Sequence, residues 1–172
     1  MSTTSSPAEH PAHPEFLTYL LHGCREFFER STRVLTDEHG GFAPHEGLMT
    51  VTQQVAHVAD TFDWFRNALV HMEGFDMDFE AMEARIAAVE SLAEARQKFE
   101  KAHGELIAFL ATSTPQSLAV QLPADDPVMP GAPRAALVAA VVEHTAHHRG
   151  VLTGYARSLG LVPPMPYAEM PG

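Results

Sequence analysis

Two histidines, His144 and His148, stand four residues apart in a segment whose other inward positions, Leu137, Val141, Leu152, Tyr155 and Leu159, are apolar or aromatic. Side chains four apart share one face of an α-helix, so both imidazoles can converge on one point. A buried, unpaired imidazole costs roughly 1–3 kcal/mol, so each needs a partner. That partner is either a shared metal ion, reached through bonds of about 2.0–2.1 Å, or a hydrogen-bonding group in the core. Spacing alone is weak evidence in a chain with 11 histidines, and both readings stand on residue type. A third ligand would have to come from a facing helix. His57 is the best-placed candidate, on the flank of its own helix shared with Thr61, Trp64 and Ala68, which suits the mouth of a pocket.

The remaining histidines lack such placement. His147 is offset by about 100° from His148 and faces another way. His22, His39, His45, His71 and His103 have no convergent spacing and read as surface residues, with His10 and His13 as bystanders in a tail. Glu100 and His103 form a single Glu-x-x-His, whereas a di-iron bundle needs that motif twice with two further glutamates, so a di-iron centre is excluded. No acidic side chain looks well placed beside the triad: Glu143 points off the stripe, and Asp60 and Asp63 face other sides of their helix.

The elements that must position these groups follow from periodicity. Residues 1–14 are polar and Pro-rich and read as a loose tail, leaving 15–172 as a single domain. Leu17, Leu20, Cys24, Phe27 and Val34 mark a first helix expected to end near Gly40 and Gly41. Cys24, inside that stripe, reads as a small buried hydrophobe. Thr50 with Gln53 forms a capping box that opens a second helix through Val55, Val58, Phe62, Phe65 and Leu69, closing near Gly74. Ser91 with Glu94 opens a third through Phe99, Leu106 and Phe109, preceded by a short helical stretch over 80–90. Residues 115–133 hold five prolines and are expected to form a long loop. A fourth helix runs from Pro133 to Gly160. The fold class is therefore all-α, a four-helix bundle whose topology the periodicity leaves open.

Composition narrows the function. Eleven Lys and Arg against 22 Asp and Glu, without a basic run, argue against nucleic acid or an anionic membrane as partner. No apolar run approaches the ~20 residues that span a bilayer, and neither a signal segment nor a second cysteine is visible, so a cytoplasmic location is expected.

The run Gln54-Val55-Ala56-His57-Val58-Ala59 and the segment Glu143-His144-Thr145-Ala146-His147-His148-Arg149-Gly150 resemble the DinB family of bacterial metalloproteins, as do Trp64 and the Gly160 to Pro164 exit. The resemblance implies that His57, His144 and His148 bind one divalent ion per chain, zinc or nickel, on a bundle that commonly forms homodimers. This chain has Val151 where the family often has Gln after His-Arg-Gly. Related proteins include thiol-dependent transferases and isomerases, in which mycothiol or bacillithiol attacks an electrophile. By analogy the expected activity is that of a thiol S-transferase acting on a small-molecule substrate, with a low-molecular-weight thiol as cosubstrate. The alternative is a non-catalytic, metal-dependent binding or stress-response protein. If imidazoles are the ligands, metal affinity is expected to fall as pH drops through about 6.5.

Overall fold

The computed structural model describes residues 13–71 and 73–168. Four long helices, α1 (Pro14–Thr32), α2 (Val51–Val70), α4 (Leu92–Ala111) and α6 (Arg134–Ser158), are joined by segments that carry two short ones, α3 (Phe79–Ala87) and α5 (Pro115–Leu118). Most of the expected tail lies outside the described residues, and Pro14, assigned to it, instead opens α1 in the first turn, where its missing N–H costs nothing. The first expected capping box forms in full and the second only in its Ser91 half: Thr50 Oγ1 accepts from Gln53 N at 3.2 Å while Gln53 Oε1 accepts from Thr50 N at 2.9 Å. Ser91 Oγ accepts from Glu94 N at 3.1 Å, with the Glu94 carboxylate accepting one residue early, from Glu90 N at 3.0 Å.

Two expectations are corrected. Helix α1 stops at Thr32 and not near Gly40, because Arg96 of α4 reaches across and donates to the carbonyl oxygens of Thr32 (2.9 Å) and Leu35 (3.4 Å). Those carbonyls are thereby satisfied without another helical turn. Residues 37–39 add only a short 3₁₀ turn. The proline-rich 115–133 stretch is also not all loop: Thr114 caps the single turn of α5, and Gln121 and Pro133 form an isolated antiparallel bridge.

Side-chain pairs fix the topology that periodicity left open. Residues 25 and 100, 32 and 96, and 21 and 103 meet between α1 and α4, with numbers that run in opposite directions, so these helices are antiparallel. Met49 with Tyr155, Gln54 with His148 and His57 with His144 make α2 antiparallel to α6 in the same way. Phe62 with Phe99 and Arg66 with Glu105 rise together, so α2 is parallel to α4. The bundle is thus up-down-down-up. Helix α1 packs on α4 and α6, α2 packs on α4 and α6, and the sequence neighbours α1 and α2 lie on a diagonal. Phe28, Phe62, Phe99, Leu106 and Leu137 are fully buried at the centre.

One buried carboxylate holds the connections to the bundle. Asp126 accepts from Phe75 N (3.0 Å), Val128 N (2.9 Å) and Met129 N (2.6 Å), tying the 120s segment to the turn after α2. Although burial opposes ionisation, these three N–H groups hold the carboxyl below its ordinary pKa. Gly74 beside it has φ +95, and a Cβ there would sit 2.5 Å from Asp126 Oδ2, so only glycine fits. Asp126→Ala leaves three donors without their acceptor and is expected to cost about 2–4 kcal/mol in denaturant unfolding. Amide exchange should speed up selectively at Phe75, Val128 and Met129; unchanged protection there would show that the loop is held by other contacts.

Candidate metal centre

The three histidines singled out from sequence meet in space. His57 projects from α2 and His144 and His148 from α6, and the possible ligand atoms of all three lie within 4.8 Å of one another. His57 Nε2 is 3.1 Å from His144 Nε2, and His148 Nε2 is 3.2 Å from His144 Nε2. For metal–nitrogen bonds of about 2.0–2.1 Å, two ligands are about 2.9 Å apart at right angles and about 3.3 Å apart at the tetrahedral angle. Both separations from His144 fall between those limits, so its Nε2 is spaced from those of His57 and His148 as ligands of one ion are.

The donor set is chemically suited to a cation. Burial is the main cause that pushes the pKa of His148 down to about 3 and of His144 down to about 4, with the neighbouring imidazoles adding to it. Burial lowers His57 as well, partly offset by the Asp60 carboxylate. All three are therefore neutral, lone-pair-bearing groups at neutral pH. His148 is buried and its Nδ1 lies 2.5 Å from Gln54 Oε1, whereas Nδ1 of His57 and of His144 are buried without a hydrogen-bond partner among the described residues.

These shifts move the expected acid limit. An ordinary imidazole would surrender a metal near pH 6.5, but protons compete with the metal for His144 and His148 only near pH 4 and below. The metal-free protein should respond too. Each imidazole is neutral in both folded and unfolded chains above about pH 6.5, and below it the unfolded chain takes up protons that the folded chain refuses. Stability should therefore fall as pH drops from about 6.5 toward 4, by up to about 1.4 kcal/mol per pH unit for each buried imidazole. Denaturant titrations of the metal-free protein across that range check this, and a flat profile would contradict it.

Two of the three, His57 and His144, line a cavity of about 530 Å³ between α2, α3, α6 and the 120s segment, a size that takes a small molecule, while His148 lies buried behind them. His57, Thr61 and Trp64 line it from α2, as their shared flank suggested, and Phe79, Met82, Ile86 and Met129 make much of the remaining wall apolar. Ala68, on the same flank, is instead buried in the core. Phe75, Phe65 and Phe79 pack around Trp64, whose indole N–H donates to the Asp76 carbonyl at 2.5 Å.

Two sequence readings change here. Glu143, expected to point away, lines the cavity beside His144, and Glu83 joins it from α3, so acidic groups do border the site. His103, read as a surface residue, is buried and its Nε2 lies 3.1 Å from the Leu21 carbonyl. Its position four residues after Phe99 and three before Leu106 was the available signal. The other placements agree: His147 is exposed, His22, His45 and His71 are exposed, His39 is half-buried, and Cys24 is buried. Asp60 is engaged by Arg85 of α3 at 2.7 and 3.0 Å, and Asp63 by Arg66 at 3.2 Å. His10 lies outside the described residues.

Comparison with known proteins gives the architecture relatives. The fold is similar to a DinB-like protein from Bacillus subtilis (TM-score 0.64, 18% identity, 91% of this chain and 96% of that one). It is also similar to a DinB-like protein from Bacillus cereus (TM-score 0.66, 20% identity, 87% of this chain and 93% of that one). No curated protein matches the sequence. No helix among the described residues is long and apolar enough to cross a membrane. The family model of the DinB superfamily matches residues 20–152, most of the bundle and all three converging histidines, and the chain belongs to that superfamily.

Proposed function

We propose that the protein is a metal-dependent enzyme in which His57, His144 and His148 hold one divalent ion, zinc or nickel, and that it joins a low-molecular-weight thiol to an apolar electrophile. The observation that carries this reading is the convergence of three neutral imidazoles, two of which, His57 and His144, line an apolar cavity. A divalent ion with three nitrogen ligands retains open positions, where it can lower the pKa of a thiol or a water to near neutrality.

The chain's own residues supply the rest. Trp64, Phe79, Met82 and Met129 offer the electrophile a wall that excludes water and strengthens electrostatic interactions inside. Glu143, next to His144 on the cavity wall, is positioned to take up a proton released from the thiol. Sulfur then bonds to the electrophilic carbon as the bond to the leaving group, or the carbon–carbon π bond, gives up its electron pair. The same carboxylate could serve a hydrolytic step with water as the nucleophile. The predominantly apolar wall and the resemblance of the histidine motifs favour a thiol and an apolar partner over that.

The test is conjugation of mycothiol or bacillithiol to a panel of aryl and alkyl electrophiles by zinc- or nickel-loaded protein. Saturable consumption of both reactants that disappears in His148→Ala is the expected result. Full metal occupancy without turnover of any thiol–electrophile pair would favour the non-catalytic binding protein instead.

A further inference from the structure

The three imidazoles are not held alike. His57 and His144 present Nε2 to the shared point with nothing in the described chain fixing the opposite nitrogen, whereas His148 has its Nδ1 2.5 Å from the side-chain oxygen of Gln54. Both members of that pair are buried, at 8% and 7% exposure, so solvent does not compete for the contact. A neutral imidazole carries one N–H and one lone pair, and the group bonded to one nitrogen decides what the other offers.

We propose that Gln54 is the positioning residue of the metal centre: its amide oxygen fixes His148 as the Nδ1–H tautomer and thereby aims the Nε2 lone pair at the point shared with His57 and His144. The inference rests on the metal-binding reading above. Were the Gln54 amide turned to donate its NH₂ to Nδ1, the imidazole proton would move to Nε2, between the three rings, and block coordination. A metal-ligating histidine ordinarily donates its second N–H to an oxygen acceptor, and loss of that acceptor weakens metal binding.

The fold explains why this glutamine can do it. The Thr50–Gln53 capping box sets the first turn of α2, the Gln54 N–H closes onto the Thr50 carbonyl at 2.8 Å, and the Tyr155 hydroxyl of α6 donates to the Met49 carbonyl at 3.2 Å. The start of α2 is thus pinned to α6, and Gln54 sits one turn of α2 from His57. A neutral amide also leaves the net charge of a three-imidazole centre unchanged, where a carboxylate in its place would donate more electron density through His148 and bind the ion more tightly.

The experiment uses the full chain in metal-free and zinc-loaded forms. In metal-free wild type at neutral pH, nitrogen NMR of the histidine side chains should show His148 as the Nδ1–H tautomer. Gln54→Leu and the more flexible Gln54→Met should lose that tautomer preference and bind zinc roughly 10–100-fold more weakly in competition with a chromophoric chelator. Gln54→Glu, which keeps an oxygen acceptor, should restore the tautomer and bind at least as tightly as wild type, a rescue that a packing role would not produce. An Nε2–H tautomer in wild type, or wild-type zinc affinity in both apolar variants, overturns the proposal while leaving the centre standing. Wild-type protein that takes up no zinc removes the centre itself, and the positioning role with it.

Discussion

Replacing His57 by alanine is expected to empty the metal site as thoroughly as replacing His148, although 91 residues of sequence separate the two positions. With His57 gone, the two α6 imidazoles make a two-point site that solvent must complete, and such a site holds an ion weakly. Elemental analysis should find close to one ion per wild-type chain and close to none in His57→Ala, His144→Ala or His148→Ala. Because the site joins α2 to α6, occupancy also feeds back on stability. At a free metal concentration of about 1,000 times Kd the bound ion stabilises the fold by about 4 kcal/mol. Chelator should therefore lower the melting temperature of the wild-type protein by several degrees and leave that of His57→Ala nearly unchanged. His57 is only half-buried, so the variant should still fold. A variant that keeps its ion and its chelator-sensitive melting would refute a site that needs His57.

The second large effect separates the cavity from the ion. Ala140 lines the cavity from α6 one turn before His144 and is not fully buried, so a phenylalanine there would project into the open volume and need not displace the core. Ala140→Phe is expected to retain its metal and reduce conjugation by more than roughly 100-fold, since the electrophile loses the space in which it is held against the nucleophile. The chain has a single tryptophan, Trp64, and it lies on the cavity wall, so its fluorescence reports occupancy directly. An aryl electrophile should quench it in wild type and not in Ala140→Phe. Undiminished turnover in a metal-replete Ala140→Phe protein would place the chemistry outside this cavity.

Much of this arrangement is legible in the sequence because local rules govern it. Both cap signatures, Thr50 with Gln53 and Ser91 with Glu94, sit where the helices start. Anomalous histidines on an apolar stripe, together with one on a helix flank, are the three that converge. What was not legible depends on contacts distant in sequence. Nothing in residues 30–41 announces that α1 ends at Thr32, since the group that satisfies its terminal carbonyls is Arg96, on another helix. Gln54 reads as an ordinary polar residue until α6 is laid against α2. That Glu143 borders a cavity emerges only once α3 and the 120s segment supply the facing walls. His103 was misread because its acceptor, the Leu21 carbonyl, is supplied by α1.

The diagonal placement of α1 and α2 bears on the order in which the molecule can assemble. No two consecutive long helices form a simple antiparallel hairpin: α2 and α4 are neighbours but parallel, and α1 must wait for α4 and α6 to receive it. Contacts between segments far apart in sequence require costly loop closure before they are rewarded, which slows folding relative to bundles of adjacent hairpins. During synthesis, α6 leaves the ribosome after α1, α2 and α4, and it carries two of the three imidazoles. An earlier intermediate of α1, α2 and α4 would hold only His57, so the nascent chain cannot trap an ion at this site before α6 has docked.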